Sequence, residues 1–95
     1  MENNKYVKIP VSVLMDKNIC ANAKLLYGVI IVLSYIRNYC FADNTYLAET
    51  LNTTRRTITR LIKDNDYIYI VNDKYKRKIY IKDVPTSSIN VEDLF

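Results

Sequence analysis

Between Lys24 and Arg37 lies a run of twelve residues, LLYGVIIVLSYI, without a single charge. Water penalises exposure of so much apolar surface, so the run has to be buried in whatever the chain folds into. A membrane span takes about 20 apolar residues, and this run is too short to be one. It is read instead as the middle of a helix from Ala21 to Arg37 or Asn38, with Asn22 or Cys20 near its start. At about 100° per residue, Leu25, Leu26, Val29, Val32, Leu33 and Ile36 share a sector of roughly 120°, the width of a core-facing stripe. Outside that sector Tyr27, Ile31 and Tyr35 recur every fourth residue, with Ile30 at the edge. Either the amino-terminal segment or the tail covers them, or they form a self-association or partner surface. In the second case a twofold homodimer is the usual result.

Ninety-five residues suffice for one domain with a core of its own, without metal or disulfide support. The charge of +4 is unevenly placed. Residues 1–43 carry +2, residues 44–82 carry +5 and residues 83–95 carry −3. A positive centre of this kind suits a polyanionic partner. Cys20 and Cys40 form no CxxC, there is no histidine, and the start has no signal-peptide pattern, as expected of a reduced cytoplasmic chain. Lacking histidine, the chain lacks the commonest metal ligand and the commonest general base, and no Ser or Cys sits in a nucleophile setting. The expectation is a protein that is not an enzyme and needs no cofactor or metal. Abundant Lys, Asn, Ile and Tyr fits an AT-rich coding sequence.

Lys5 to Ile9 alternates polar and apolar as a half-buried strand does. Pro10 ends it and can open a single helical turn that places Val11, Leu14 and Met15 on the core. Tyr39 to Ala42 reads as a buried connection, with Asn44 as the cap of a short helix that turns Leu47, Ala48 and Leu51 inward. Asn52 stops this helix, because asparagine tolerates the left-handed conformation of a tight turn, and Thr53 or Thr54 caps the next one. That next helix, Thr54 to Lys63, has two unlike faces. Thr54, Ile58, Leu61 and Ile62 fall on one side, and Arg56, Thr59, Arg60 and Lys63 on the other, with Arg55 and Thr57 on the flanks. Three cations on the outward side, and no acid in the ten residues, suit the phosphates and base edges of a duplex.

After a polar turn at Asp64 to Asp66, Tyr67–Val71 and Arg77–Ile81 read as two strands joined by Asn72 to Lys76. Ile68, Ile70, Ile79 and Ile81 take the inward positions, while Lys74, Lys76, Arg77 and Lys78 gather near the tip. Tyr75 could meet a groove sugar or pack on the hairpin.

Asn44 to Lys63 resembles a helix-turn-helix unit, with Asn52 where that family usually has glycine and Thr53 where it more often has an apolar residue. With the leading strand, the long helix and the hairpin, residues 6–82 resemble a winged helix-turn-helix. The fold expected is α+β, mainly α, with three helices, a short amino-terminal strand and a carboxy-terminal β-hairpin wing. Residues 1–82 would form that domain and 83–95 a flexible acidic tail. The run of apolar positions is similar to the amino-terminal domain of plasmid and phage replication initiators and replisome organisers, a scaffold that transcription regulators share.

That resemblance implies double-stranded DNA binding by the second helix of the unit, in replication initiation or transcription regulation for a phage, plasmid or other mobile element. It places Arg55, Arg56, Thr59, Arg60 and Lys63 in the major groove, with Arg56 and Arg60 on base edges and Thr54 or the helix-start amides on a phosphate. Thr45 and Tyr46 would touch the backbone from the preceding helix, and Lys74, Lys76 and Lys78 would follow it from the wing. The alternative is a phage-type protein-binding winged helix, an inhibitor or adaptor of a host protein, that uses Tyr27, Ile31 and Tyr35 or the tail. The last residues, VEDLF, resemble a short peptide that binds the DNA polymerase sliding clamp, matching in Asp93, Leu94 and Phe95 but with Val91 in place of the usual glutamine. The tail could also fold back on the basic face. Location would be cytoplasmic, on the nucleoid, or in the host cytoplasm if the chain is phage-encoded.

Overall fold

A computed structural model describes residues 6–35, 37–72, 74 and 76–82. Along these residues run four helices, α1 (Val11–Leu14), α2 (Ala21–Leu33), α3 (Asn44–Thr50) and α4 (Arg55–Lys63), then two antiparallel strands, β1 (Ile68–Asn72) and β2 (Arg77–Ile81). The α+β class is as expected from the sequence, with differences in the parts. Of the strand expected from Lys5 to Ile9, Lys5 lies outside the described residues, and residues 6–10 form no strand, because among the described residues no other strand lies beside them. They pack on α2 through Val7 and Ile9 instead. The chain's one glycine, Gly28, is what allows this approach: a β-carbon there would stand 3.0 Å from Ile9 Cγ1.

The middle of α2 is buried around its whole circumference. Leu26, Tyr27, Gly28, Val29 and Ile30 are all buried, and five consecutive helical residues sweep more than a full turn. The stripe expected from Leu25 to Ile36 is therefore rotated and widened: Leu25 is 45% exposed, whereas Tyr27, expected on an outer face, is 1% exposed. The ring of Tyr27 meets that of Tyr67 edge-on, with centroids 5.8 Å apart. Ile31 packs against the core and Tyr35 is 85% exposed, so Tyr27, Ile31 and Tyr35 do not make one exposed face. α2 ends at Leu33, earlier than the sequence suggested, with Ser34 donating from its hydroxyl to the Ile30 carbonyl. Asn38 then reverses the chain at φ 63°. In α1 it is Val13 that is buried, and Leu14 and Met15 are about half exposed.

Two polar links fasten the periphery to this core. Asn65, 4% exposed, donates to the Ala23 carbonyl at 3.3 Å and accepts from the Tyr67 amide at 3.0 Å, joining the end of α4 and the start of the hairpin to α2. The Tyr67 hydroxyl donates to Asp16. That bond, with a second from the Asn18 amide, holds the Asp16 carboxyl below its ordinary value, and it pushes the Tyr67 phenol up to about 12.

Of the expected inward positions of the hairpin, Ile68, Ile79 and Ile81 pack on the core, whereas Ile70 is 38% exposed, because β1 runs out beyond the core after its first residue. Ile68 pairs with Ile81 and Ile70 with Ile79, and Ile68 and Ile79 are buried. A further bridge joins Cys40 to Ile79, so the segment after α2 runs beside β2. Cys40 is buried there, which raises its thiol pKa, but Phe41 is 50% exposed, so 39–42 is only half the buried connection expected. No helix among the described residues is long and apolar enough to cross a membrane. Ile36, Tyr75 and the whole tail, with Leu94 and Phe95, lie outside the described residues.

Two outcomes are expected. Asn65→Ala removes both links at a buried site and should lower unfolding free energy by roughly 1–3 kcal/mol, measured by urea denaturation. Tyr67→Phe should lower Tm at neutral pH. The folded-state pKa of Asp16 is depressed, so its contribution is present above the ordinary value of 3.8 and fades as pH falls through the lowered one. The folded-state pKa of Tyr67 is raised, so its contribution is present below 10.0 and fades as pH rises towards about 12. The gap between wild type and variant should close at both extremes in a thermal-melt pH series.

Candidate nucleic-acid interface

α3 and α4 are joined by a turn that the sequence sets at one residue. Asn52 has φ 54°, the left-handed region, which asparagine enters at less cost than most side chains. Leu47 and Ala48 on α3, and Ile58, Leu61 and Ile62 on α4, are buried between the two helices and α2. Ala48 is small, which lets α4 cross closely. Asn44 Nδ2 also donates to Thr59 Oγ1 at 3.1 Å, tying the start of α3 to the outer side of α4.

The two helices are capped with different charge. Asp43, not Asn44, caps α3, its carboxylate accepting from the Tyr46 amide at 2.8 Å. Asn44 is the first helical residue. Thr54 caps α4, its hydroxyl oxygen accepting from the Thr57 amide at 3.1 Å. A carboxylate offsets the positive end of the helix dipole, whereas a neutral hydroxyl leaves it in place. The start of α3 is thus poorly suited to a phosphate and the start of α4 well suited, with no acid in the first turn of α4.

Arg55, Arg56, Arg60 and Lys63 are all exposed on α4. Arg56 and Arg60 point furthest from the face formed by Ile58, Leu61 and Ile62 on the helical wheel, with Lys63 close beside Arg56. Arg60 also borders a depression shared with Asn18, Cys20 and Asp64. Thr59 and Thr54 are exposed, but their hydroxyls are already committed: Thr59 donates to the Arg55 carbonyl and accepts from Asn44, and Thr54 donates to Thr57 Oγ1 and accepts its amide. These threonines act by holding the helix. Thr45 and Tyr46 are exposed on the first turn of α3, beside Asp43.

On the hairpin the four expected cations separate. Lys74 and Lys76 are exposed near the tip. Lys78 lies on the outer sheet face with its ammonium 4.9 Å from the centre of the Tyr39 ring. Arg77 turns inward and donates to the Ala42 carbonyl at 2.9 Å, which removes it from the tip. Sequence reading missed Arg37, whose guanidinium lies 4.9 Å from the centre of the Phe41 ring. Its partner belongs to a segment that comes beside β2 only through the Cys40 bridge, and no periodicity reveals that bridge.

A family model described as a helix-turn-helix domain matches residues 17–64, just over half of the chain. The chain belongs to the helix-turn-helix family. The match takes in α2, α3 and α4 and stops before the hairpin. No curated protein and no solved structure matches the chain.

Within this helix-turn-helix unit the cap and the turn can be tested apart from any ligand. Thr54→Ala should cost about 0.5–2 kcal/mol. Asn52→Gly should be tolerated while Asn52→Ala costs about 1 kcal/mol, since only the latter places a β-branch-free but still hindered side chain at positive φ. Chemical denaturation of the three variants measures both.

Proposed function

We propose that the chain binds double-stranded DNA as a winged helix-turn-helix protein. α4 lies in the major groove and the hairpin acts as the wing. The observation that carries this reading is α4 itself: its apolar side is fixed in the core, its amino-terminus is capped by a neutral group, and four cations stand on its solvent side. Arg56 is best placed for a base edge, where the guanidinium fork matches the two acceptors of guanine. Arg55, Arg60 and Lys63 serve as further groove or phosphate contacts, and Lys74 and Lys76 follow the backbone from the wing tip. Thr45 and Tyr46 reach the backbone beside α4. The role is replication initiation or transcriptional control of a mobile element in the cytoplasm, which the run of apolar positions and the AT-biased composition favour.

The experiment is binding of wild type and an Arg56→Ala, Arg60→Ala double variant to random duplex and to duplex from the chain's own genomic surroundings, across a salt series. Wild-type affinity should fall steeply with salt, and the variant should lose about 1–3 kcal/mol for each base contact removed. Preference for local duplex supports initiation or autoregulation. Equal and weak binding by both proteins at low salt overturns the reading.

A further inference from the structure

The outer face of the hairpin carries a second arrangement, of which the duplex reading uses Lys76 but none of the aromatic rings. Residues directly opposite in an antiparallel sheet share a face. With Ile79 buried, its neighbour Tyr80 and the residue paired with Tyr80, Tyr69, lie on the opposite face. Because Cys40 bridges Ile79, Tyr39 falls beside Tyr80 on that same outer face, and Phe41 falls beside Lys78. The rings follow this geometry. Tyr69 stacks on Tyr80 with centroids 5.2 Å apart and planes 11° from parallel. Tyr80 meets Tyr39 at 5.7 Å, and Tyr39 meets Phe41 at 6.4 Å. Four aromatic side chains thus form a continuous track across β1, β2 and the segment bridged to β2.

Both ends of the track are open. Tyr69 is 46% exposed and stands on β1, an edge of the two-stranded sheet. Phe41 is 50% exposed and borders an apolar depression of about 400 Å³, also lined by Leu33, Ala42 and Tyr46. Cations lie along the track: Lys78 over Tyr39, and Arg37 and Lys76 over Phe41 at 4.9 and 5.4 Å. The depression beside Phe41 is also lined by an acid, Asp43, whose carboxylate accepts from the Tyr46 amide. Cross-strand aromatic pairs also stabilise a hairpin by themselves, so it is the cations gathered beside half-exposed rings that point to a ligand.

We propose that this track binds an unpaired DNA strand, with a base stacking on Tyr69 and phosphates running past Arg37, Lys76 and Lys78. Every base has a π-face, so stacking on aromatic rings is tolerant of sequence, and the flanking cations neutralise the backbone. A closed duplex hides its base faces and cannot use the rings in this way. The choice of DNA over RNA rests on the duplex-binding reading of α4; the stacking site itself does not.

The test is fluorescence anisotropy of the full chain with a labelled mixed-sequence DNA strand, an abasic strand of equal length, an RNA strand of the same sequence and the matching duplex. Wild type should bind the base-bearing strand at least about tenfold more tightly than the abasic one. Tyr69→Leu, which keeps apolar bulk but lacks a π-face, should weaken single-strand binding by about 5- to 100-fold while leaving duplex binding and far-UV circular dichroism unchanged, and Tyr69→Phe should restore it. Equal binding of base-bearing and abasic strands, or undiminished single-strand binding by Tyr69→Leu, overturns the stacking site. Tighter binding of RNA than of DNA overturns the choice of DNA. The single-strand arms are read without reference to the duplex arm, so failure of duplex binding would count against the α4 reading alone.

Discussion

Everything in this chain leans on the burial of the middle of α2 on all its sides. A helix placed at a surface buries one stripe and needs one neighbour, but a helix buried all round needs a neighbour on every side. Here α4 packs on it, β2 reaches it, Tyr67 meets Tyr27, and Val7 and Ile9 close the side where Gly28 admits them. Each peripheral element is short: α1 has four residues, α3 seven and α4 nine. Isolated helices of that length are marginal in water. Their stability comes from the shared support, which is why an exposed cationic surface on α4 can be held in place at all.

The same fact explains what was legible in the sequence and what was not. The two-faced pattern of α4 was readable because its polar side really meets solvent, and the left-handed turn was readable because Asn52 is one of few residues suited to it. The strands of the hairpin were readable from their alternation. In α2 the pattern misled. Selecting a stripe from Leu25 to Ile36 put Tyr27 outside, although a run apolar on all sides has no true stripe, and the position of its one glycine marked where the chain would return to cover it. The amino-terminal segment alternates as a strand does, yet packs by side chains alone, since alternation reports two environments and not a hydrogen-bonded neighbour.

At the candidate interface, sequence indicated which residues are charged but not which are committed. Thr59 and Arg77 look available by spacing, and both are engaged internally, with Asn44 and with the Ala42 carbonyl. The α3 cap moved by one residue, from Asn44 to Asp43, and that shift places a negative charge at one helix start and leaves the other positive. The aromatic track is the clearest case of information that is absent locally: the hairpin register sets Tyr69 opposite Tyr80, but only the bridge between Cys40 and Ile79 brings Tyr39 and Phe41, about forty residues before Tyr80, onto the same face.

That bridge also couples two parts that the chain order separates. The segment between α2 and α3 precedes the helix-turn-helix pair, while the hairpin follows it, yet Cys40 and Ile79 exchange backbone hydrogen bonds in both directions at 2.8 Å. The hairpin is therefore held from before α3 as well as from after α4, like a lever fixed at two points. Lengthening the 34–43 connection by even one residue would change which side of the strand faces β2, and with it the tilt of the hairpin relative to α4, without altering a single residue of either. The spacing between α4 and the hairpin is thus set in part by the length of this connection.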